Sequence, residues 1–191
     1  MEKVSEEGRT FEKINFAEKP LAKGVYEECT FINCNFASSD LSAMKFVDCN
    51  FRDCNLSSVK LVDAVFKGVH FNDCKLLGLP FCDCSELVFR VSFENCNLNL
   101  SSFFKLNLKK TTFKDCSLKE VDFVDADLTN AVFDDCDLAS AVFENTILEG
   151  ADLTNAANYS INPETNRIRG AKFSLSGLPG LLDKYQIQIE Y

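Results

Sequence analysis

The residues able to do chemistry in this chain are ten cysteines, one histidine and an unusual run of carboxylates. Cysteines can hold metal or form disulfides, but their spacing here opposes both. No CxxC pair exists, Cys82 and Cys84 stand only two apart, and His70 is the sole histidine, so no zinc-type ligand set is assembled. Eight cysteines (Cys29, Cys34, Cys49, Cys54, Cys74, Cys96, Cys116 and Cys136) each lie two residues before a Phe or Leu. That regular place beside large apolar residues predicts buried thiols packing as small hydrophobes. Replacing Cys54 with Ser is then expected to strand a hydroxyl in the core, costing about 1–3 kcal/mol.

The carboxylates are concentrated. Net charge is −9, from 29 acids and 20 bases. Between Glu120 and Asp152 lie ten acids and no Lys or Arg: Glu120, Asp122, Asp125, Asp127, Asp134, Asp135, Asp137, Glu144, Glu149 and Asp152. The rest of the chain is nearly neutral. Adjacent carboxylates such as Asp134 and Asp135 serve acid–base catalysis only where a pocket shifts their pKa values. The chain has no glycine-rich phosphate loop, nucleophile elbow or second histidine. No catalytic residue, metal or cofactor is therefore assigned, and a non-enzymatic protein is expected. The sign of the charge also disfavours direct nucleic-acid binding. The basic cluster Lys105, Lys109, Lys110, Lys114 and Lys119 reads as a solvated face.

What positions these side chains is a period of five. From Phe11 the series runs Phe16, Leu21, Tyr26, Phe31, Phe36, Leu41, Phe46, Phe51, Leu56, Leu61, Phe66, Phe71, Leu76 and Phe81. It slips by two residues and resumes as Phe93, Leu98, Phe103, Leu108, Phe113, Leu118, Phe123, Leu128, Phe133, Leu138, Phe143, Leu148 and Leu153. Neither helix nor ordinary strand has this period; a solenoid does. In each unit the central Phe or Leu and the residue two before it point inward, as in a short extended segment. Asn, Asp or Ser just before the centre, as at Asn35, Asn50, Asn55, Asn97, Ser117 and Asp137, suits a corner where the side chain bonds nearby backbone. Cysteines recur every twenty residues, at Cys34, Cys54 and Cys74 and again at Cys96, Cys116 and Cys136. Four units per turn, square in section, follow. At the usual strand spacing of about 4.8 Å, residues 11–158 make about seven turns and a rod roughly 35 Å long.

The units Cys49-Asn50-Phe51-Arg52-Asp53, Ala126-Asp127-Leu128-Thr129-Asn130 and Ala151-Asp152-Leu153-Thr154-Asn155 resemble the A(D/N)LXX motif of pentapeptide-repeat proteins. The resemblance implies an all-β fold: a right-handed quadrilateral parallel β-helix. Expected divisions are a lead-in at 1–10, the β-helix at 11–158 with a register break near 82–90, and a C-terminal cap at 159–191. The break, Cys82 to Arg90, is expected to form a bulge or kink that leaves the core continuous. In the tail, Ser176 is expected to cap a short helix through Lys184, and Gln186 to Glu190 to form a half-exposed strand.

A helix after the repeats is similar to the gyrase-protecting members, the Qnr-type quinolone-resistance and McbG-type microcin-resistance group. The resemblance implies a homodimer joined by the tail (Phe173, Leu175, Leu178, Leu181, Leu182, Tyr185, Ile187 and Ile189) whose acidic surface mimics duplex DNA on DNA gyrase or topoisomerase IV. Many Qnr-type members carry long projecting loops; this chain has only the two-residue slip. The ten acids occupy roughly 8 Å of axis, over which B-DNA carries about five charges. Divided among four faces, they form a collar rather than a stripe. The alternative is a general protein-interaction scaffold, with the acids serving corners and solubility. A tail that only caps the solenoid is equally open. The charged start, Met1 to Thr10, resembles no secretory signal, and no apolar run spans a bilayer, so a cytoplasmic protein without membrane contact is expected.

Overall fold

The computed structural model describes residues 4–85 and 88–190. Twelve short strands all pair in parallel: β1 (Val4–Glu7), β2 (Thr10–Glu12), β3 (Gly24–Glu27), β4 (Thr30–Ile32), β5 (Lys45–Val47), β6 (Asn50–Arg52), β7 (Val65–Asn72), β8 (Arg90–Glu94), β9 (Thr112–Lys114), β10 (Val132–Asp134), β11 (Asp152–Leu153) and β12 (Lys172–Phe173). The register is twenty residues, with Phe31 opposite Phe51 and Phe113 opposite Phe133. The chain is thus a β-solenoid of roughly eight turns with four units per turn.

We number the four faces by their centres. Face 1 carries Phe11, Phe31, Phe51, Phe71, Phe93, Phe113, Phe133 and Leu153. Face 2 carries Phe16 to Leu138, face 3 Leu21 to Phe143, and face 4 Tyr26, Phe46, Phe66, Leu108, Leu128 and Leu148. Face 1 is a continuous ladder from β2 through β4, β6 and β7 to β12; face 4 begins with β1, β3 and β5. Strand β7 belongs to both because its eight residues bend round the corner at Gly68, whose φ is +67°. A Cβ there would collide with the Asp48 carboxylate.

Inside, like stacks on like. Along face 1 the rings of Phe11, Phe31, Phe51 and Phe71 lie nearly parallel at centroid distances of 4.9, 4.7 and 5.1 Å. On face 3, Phe81, Phe103, Phe123 and Phe143 do the same at 4.8, 5.4 and 5.2 Å. Between columns the rings meet edge to face, as Phe103 meets Phe113 at 5.9 Å. Both geometries are favourable for the aromatic quadrupole.

The inward position two before the centre holds eight of the thiols; these and Cys84 are buried, whereas Cys82 stands just after Phe81 and is half-buried. These eight inward thiols also have a polar role. Cys54 Sγ donates to the carbonyls of Arg52 (3.2 Å) and Phe31 (3.4 Å), and Cys136 Sγ donates to Phe113 at 3.4 Å. Thr146 Oγ1 donates to Phe123 O at 2.9 Å in the same way, and Ser101 Oγ to Leu76 O at 2.9 Å. A Ser at position 54 would therefore find the Phe31 carbonyl, so the expected stranded hydroxyl does not arise. Burial pushes the Cys49 thiol up to about 12, leaving it protonated and inert.

The corners carry the largest departure from the sequence reading. Two residues after nearly every centre the backbone is left-handed, at Asp53 (φ 53°), Ser58 (57°), Asn130 (56°) and many others. This conformation favours Gly, Asn and Asp. The residue before the centre acts separately: Asn55 Oδ1 accepts from Ser57 N (3.1 Å), and Asp127 Oδ1 from Thr129 N (3.1 Å) and Thr129 Oγ1 (2.5 Å).

The ends also differ. The lead-in is already coil, because Val4 pairs with Gly24 and Thr10 with Thr30. The β-helix does not stop at residue 158 but runs to Phe173, which pairs with Leu153. The extra turn escapes the five-residue pattern because Asn158 and Pro163 stand where centres belong, while Tyr159 and Ile161 are buried instead. At the break, a 3-10 turn over Phe81–Asp83 and a register shift between Lys67 and Val69 absorb the slip. The core is continuous there, with Phe71 stacked on Phe93 at 5.4 Å and Phe81 on Phe103. Glu86 and Leu87, within the break, lie outside the described residues.

Two stability outcomes follow. Phe103→Ala, which empties one rung of a ring ladder, should cost about 3–5 kcal/mol in urea unfolding. Cys54→Ser should cost about 1 kcal/mol or less, since its hydrogen bonds persist. In native protein a thiol reagent should modify Cys82 quickly and the other nine only after denaturation; several fast-reacting thiols would contradict the packing described.

Candidate functional site: an acidic collar and an apolar tail

The ten acids of the collar divide by position within their units. Asp122, Asp127, Asp137 and Asp152 precede a centre and bond the corner backbone; Asp122 Oδ1, for example, accepts from Val124 N at 2.9 Å. Asp134, Glu144 and Glu149 follow a centre and point outward. Glu120, Asp125 and Asp135 occupy the left-handed corners, with φ of 56°, 57° and 49°. That last set was not legible as corner residues from the sequence reading, although the signal was present. Asn, Asp, Ser or Gly stands two after most centres, as at Asn33, Ser38, Asp48, Asp63, Gly78 and Asp115.

Stacking then decides which charges are free. The basic cluster is not merely a solvated face: it lies one coil before the collar and neutralises part of it. Lys109 pairs with Asp127 at 3.1 Å and Lys119 with Asp137 at 2.9 Å. From the following coil Arg167 pairs with Glu149 at 2.7 Å and Lys172 with Asp152 at 3.0 Å. The spacings are 18 or 20 residues, invisible unless the turn length is known. Both acids of face 4 are paired. Six acids have no ion pair among the described residues: Glu120, Asp122, Asp125 and Glu144 on or beside face 3, and Asp134 and Asp135 on face 1. Asp122 accepts from Ser102 Oγ at 3.0 Å and Asp134 from Asn155 Nδ2 at 2.8 Å, so these two are bonded, but by neutral partners.

The tail closes the solenoid end. It forms 3-10 turns over Leu175–Leu181 and Asp183–Tyr185 rather than an α-helix, as expected of a segment containing Gly177, Pro179 and Gly180. Its cap is Ser174, not Ser176: Ser174 Oγ accepts from Gly177 N at 3.1 Å. Gln186 to Glu190 form no strand. Gly177 lies directly on the buried Tyr159 hydroxyl, leaving no room for a Cβ. Ile161 N donates to Gly180 O at 2.9 Å, and Lys184 and Tyr185 both hold Glu164. Of the proposed interface residues, Phe173 and Leu181 pack against the core and Leu182 is half-buried. Leu175 is 84% exposed, and Leu178, Tyr185, Ile187 and Ile189 are exposed beside it. Among the described residues no helix is long and apolar enough to cross a membrane.

The corner bonds and ion pairs leave a pH signature. The Thr154 hydroxyl and amide, then Lys172, hold the Asp152 carboxyl down at about 2. Ser42 and Lys23 do the same for Asp40, also at about 2. Asn158, Lys119 and the Ala139 amide lower Asp137. Asp127 is lowered despite its burial, which opposes the effect, by Thr129 and Lys109. Unfolded, each carboxyl would titrate near 4. The unfolded chain then binds more protons as pH falls, so this stability is present above about pH 4 and is lost towards pH 2. The Tm should fall over that window, and Asp152→Asn should make the fall shallower. A Tm that is unchanged from pH 5 to pH 2 would contradict these assignments.

Comparison with known proteins fits this geometry. Trypsin-treated QnrB1, a plasmid-mediated fluoroquinolone resistance protein, superposes with a TM-score of 0.51 at 21% identity, over 98% of each chain. Full-length QnrB1 gives 0.46 at 21% identity, covering 96% of this chain and all of that one. HetL, a pentapeptide-repeat protein involved in heterocyst differentiation regulation in the cyanobacterium Nostoc, gives 0.46 at 14% identity, over 91% of this chain and 88% of its own. Identities this low carry the fold alone. No curated sequence matches significantly. The family description "Pentapeptide repeat region" matches residues 9–85 and 87–162, which is most of the chain. The chain belongs to the pentapeptide-repeat family.

Proposed function

We propose that the chain is a DNA-mimicking binding protein, not an enzyme, that engages a type II topoisomerase (DNA gyrase or topoisomerase IV) and protects it from inhibitors. The observation that carries this reading is the set of six collar carboxylates without an ion pair on a smooth convex rod. Fixed negative charges on a rigid cylinder are what a DNA-binding saddle recognises electrostatically. Similarity of fold to a fluoroquinolone resistance protein supports the same reading. The protein acts in the cytoplasm as a homodimer. The exposed Leu175, Leu178, Tyr185, Ile187 and Ile189 of two tails cover one another, and the two collars come together at the middle of a longer rod. A general interaction scaffold is the second reading, favoured by the four collar acids already held in ion pairs and corners.

The test is a gyrase supercoiling assay with and without quinolone. Asp122, Asp125, Asp134 and Asp135 replaced together by Asn should weaken the effect on the order of tenfold or more. The exchange is gentle on the fold, since Asn tolerates the left-handed corners at 125 and 135 and keeps the acceptor at 122. Binding should also weaken steeply with salt. Deleting residues 175–191 should give a monomer with little affinity. A monomeric intact protein without effect on either enzyme at micromolar concentration leaves the scaffold reading in place.

A further inference from the structure

Among the described residues, six large apolar side chains are exposed on the coils (Val62, Val88, Leu100, Phe104, Val132 and Val142), and half of them share one face. Val62, Phe104 and Val142 are 52%, 37% and 48% exposed, and all three stand on face 3. Two outward columns run along that face. One holds Val62, Cys82, Phe104 and Val124; the other holds Pro80, Ser102, Asp122 and Val142, in bridged register from Pro80 to Val142. Leu100, 55% exposed, stands at the adjoining corner. From Val62 to Val142 the stripe crosses four coil spacings, about 19 Å. Exposed apolar side chains gathered on one face of an otherwise polar rod suit an interaction surface.

The rim has one dominant sign. Asp63, Asp83, Asp122, Asp125 and Glu144 border the stripe, and none of them makes an ion pair among the described residues. The bases along the stripe are Lys60, at its N-terminal end, and Lys105, whose ammonium lies 4.7 Å from the Phe104 ring centroid; Lys23, further back on the face, is paired with Asp40 at 3.1 Å. Faces 2 and 4 are different: their collar acids Asp127, Asp137 and Glu149 are already neutralised. Face 3 therefore combines three exposed apolar side chains with uncompensated charge, whereas face 1, with Asp134 and Asp135 unpaired among the described residues, has Val132 alone beside them.

We propose that face 3 is a docking surface for a basic amphipathic helix presented by another protein. Its apolar edge would lie along Phe104, Val124 and Val142, with Lys or Arg reaching the five carboxylates. A helix fits better than a strand. The coils exhaust their backbone hydrogen bonds on one another along the axis, for example Asp122 N to Ser101 O and Val142 N to Val121 O. The face thus offers side chains but no free edge for β-augmentation. The coil spacing of about 4.8 Å also lies near the helical pitch of about 5.4 Å, and about 13 helical residues span the stripe. This surface does not depend on the topoisomerase reading, although it shares Asp122, Asp125 and Glu144 with the collar; duplex DNA offers no apolar counterpart to Phe104.

The experiment titrates the full-length protein with a synthetic 18-residue amphipathic helix of Leu and Lys, and with a scrambled isomer of identical composition. The designed helix should bind at least about tenfold more tightly than the isomer. Phe104→Ser together with Val142→Ser should remove that preference. Ser already occupies the equivalent outward positions, before a centre at 102 and 117 as at Val142 and after a centre at 42 and 57 as at Phe104, so the coil should remain folded, checked by an unchanged Tm. Val132→Ser on face 1 should leave binding intact. Equal binding of helix and isomer, undiminished binding to the Phe104/Val142 variant, or a Val132→Ser loss as large as that variant's would each overturn the proposal. So would self-association of the native protein that Phe104→Ser abolishes, which would assign the face to a second copy of this chain.

Discussion

The structure depends on one constraint: the cross-section of the rod is too narrow for more than four large and four small side chains. Each coil must therefore supply eight inward residues of the same two sizes as its neighbour's, four large and four small, twenty residues apart. Rings stack on rings, or on Leu, because only a flat ring or a Leu fits above a ring at the spacing hydrogen-bonded strands impose. Thiols, hydroxyls and short aliphatics share the second inward position because that position needs a small side chain, preferably one able to donate to the carbonyl of the coil before it. The conspicuous number of cysteines follows from geometry, with no redox chemistry implied for the nine that are buried.

With the interior fixed by repetition, the outside carries all the individuality. Every unit offers two outward positions and one left-handed corner. Asp serves two of these three roles well, as the residue before the centre and as the corner residue. Part of the acid content is thus a by-product of folding, and neighbouring coils neutralise another part. What distinguishes the molecule is the remainder: carboxylates without an ion pair on faces 1 and 3 among the described residues, apolar side chains gathered on face 3, and an apolar tail.

Fold was legible in the sequence because each inward residue declares itself locally. The five-residue period of Phe and Leu gave the strands, and the twenty-residue return of Cys34, Cys54 and Cys74 gave the coil. The misreadings arose where the outward code is indirect. The left-handed corner residue was missed because side chains as different as Asp53, Ser58, Leu100 and Lys110 adopt it, so only its average composition betrays it. The extra final turn was missed because Tyr159 and Ile161 fill the core out of phase. Ion pairs such as Lys119 with Asp137 join residues 18 apart, a distance that has meaning only once the diagonal between adjacent coils is known. Face 3 could have been read by writing the sequence in rows of twenty; the two-residue slip hides the column from Val62 and Cys82 to Phe104 and Val124.

The slip itself has a wider consequence. Phe71 stacks on Phe93 as closely as its neighbours do, although 22 residues separate them instead of twenty. Each coil answers only to the ones directly above and below, so the slip leaves the ring stacks of faces 1 and 3 unbroken and changes face 4 alone, where Phe66 meets Phe89 edge to face at 6.4 Å. Such a body can gain or lose whole coils, or grow surplus at a corner, while its thickness and interior stay constant. Length and corner decoration become separately heritable variables, like the graduations of a ruler and the marks pencilled beside them.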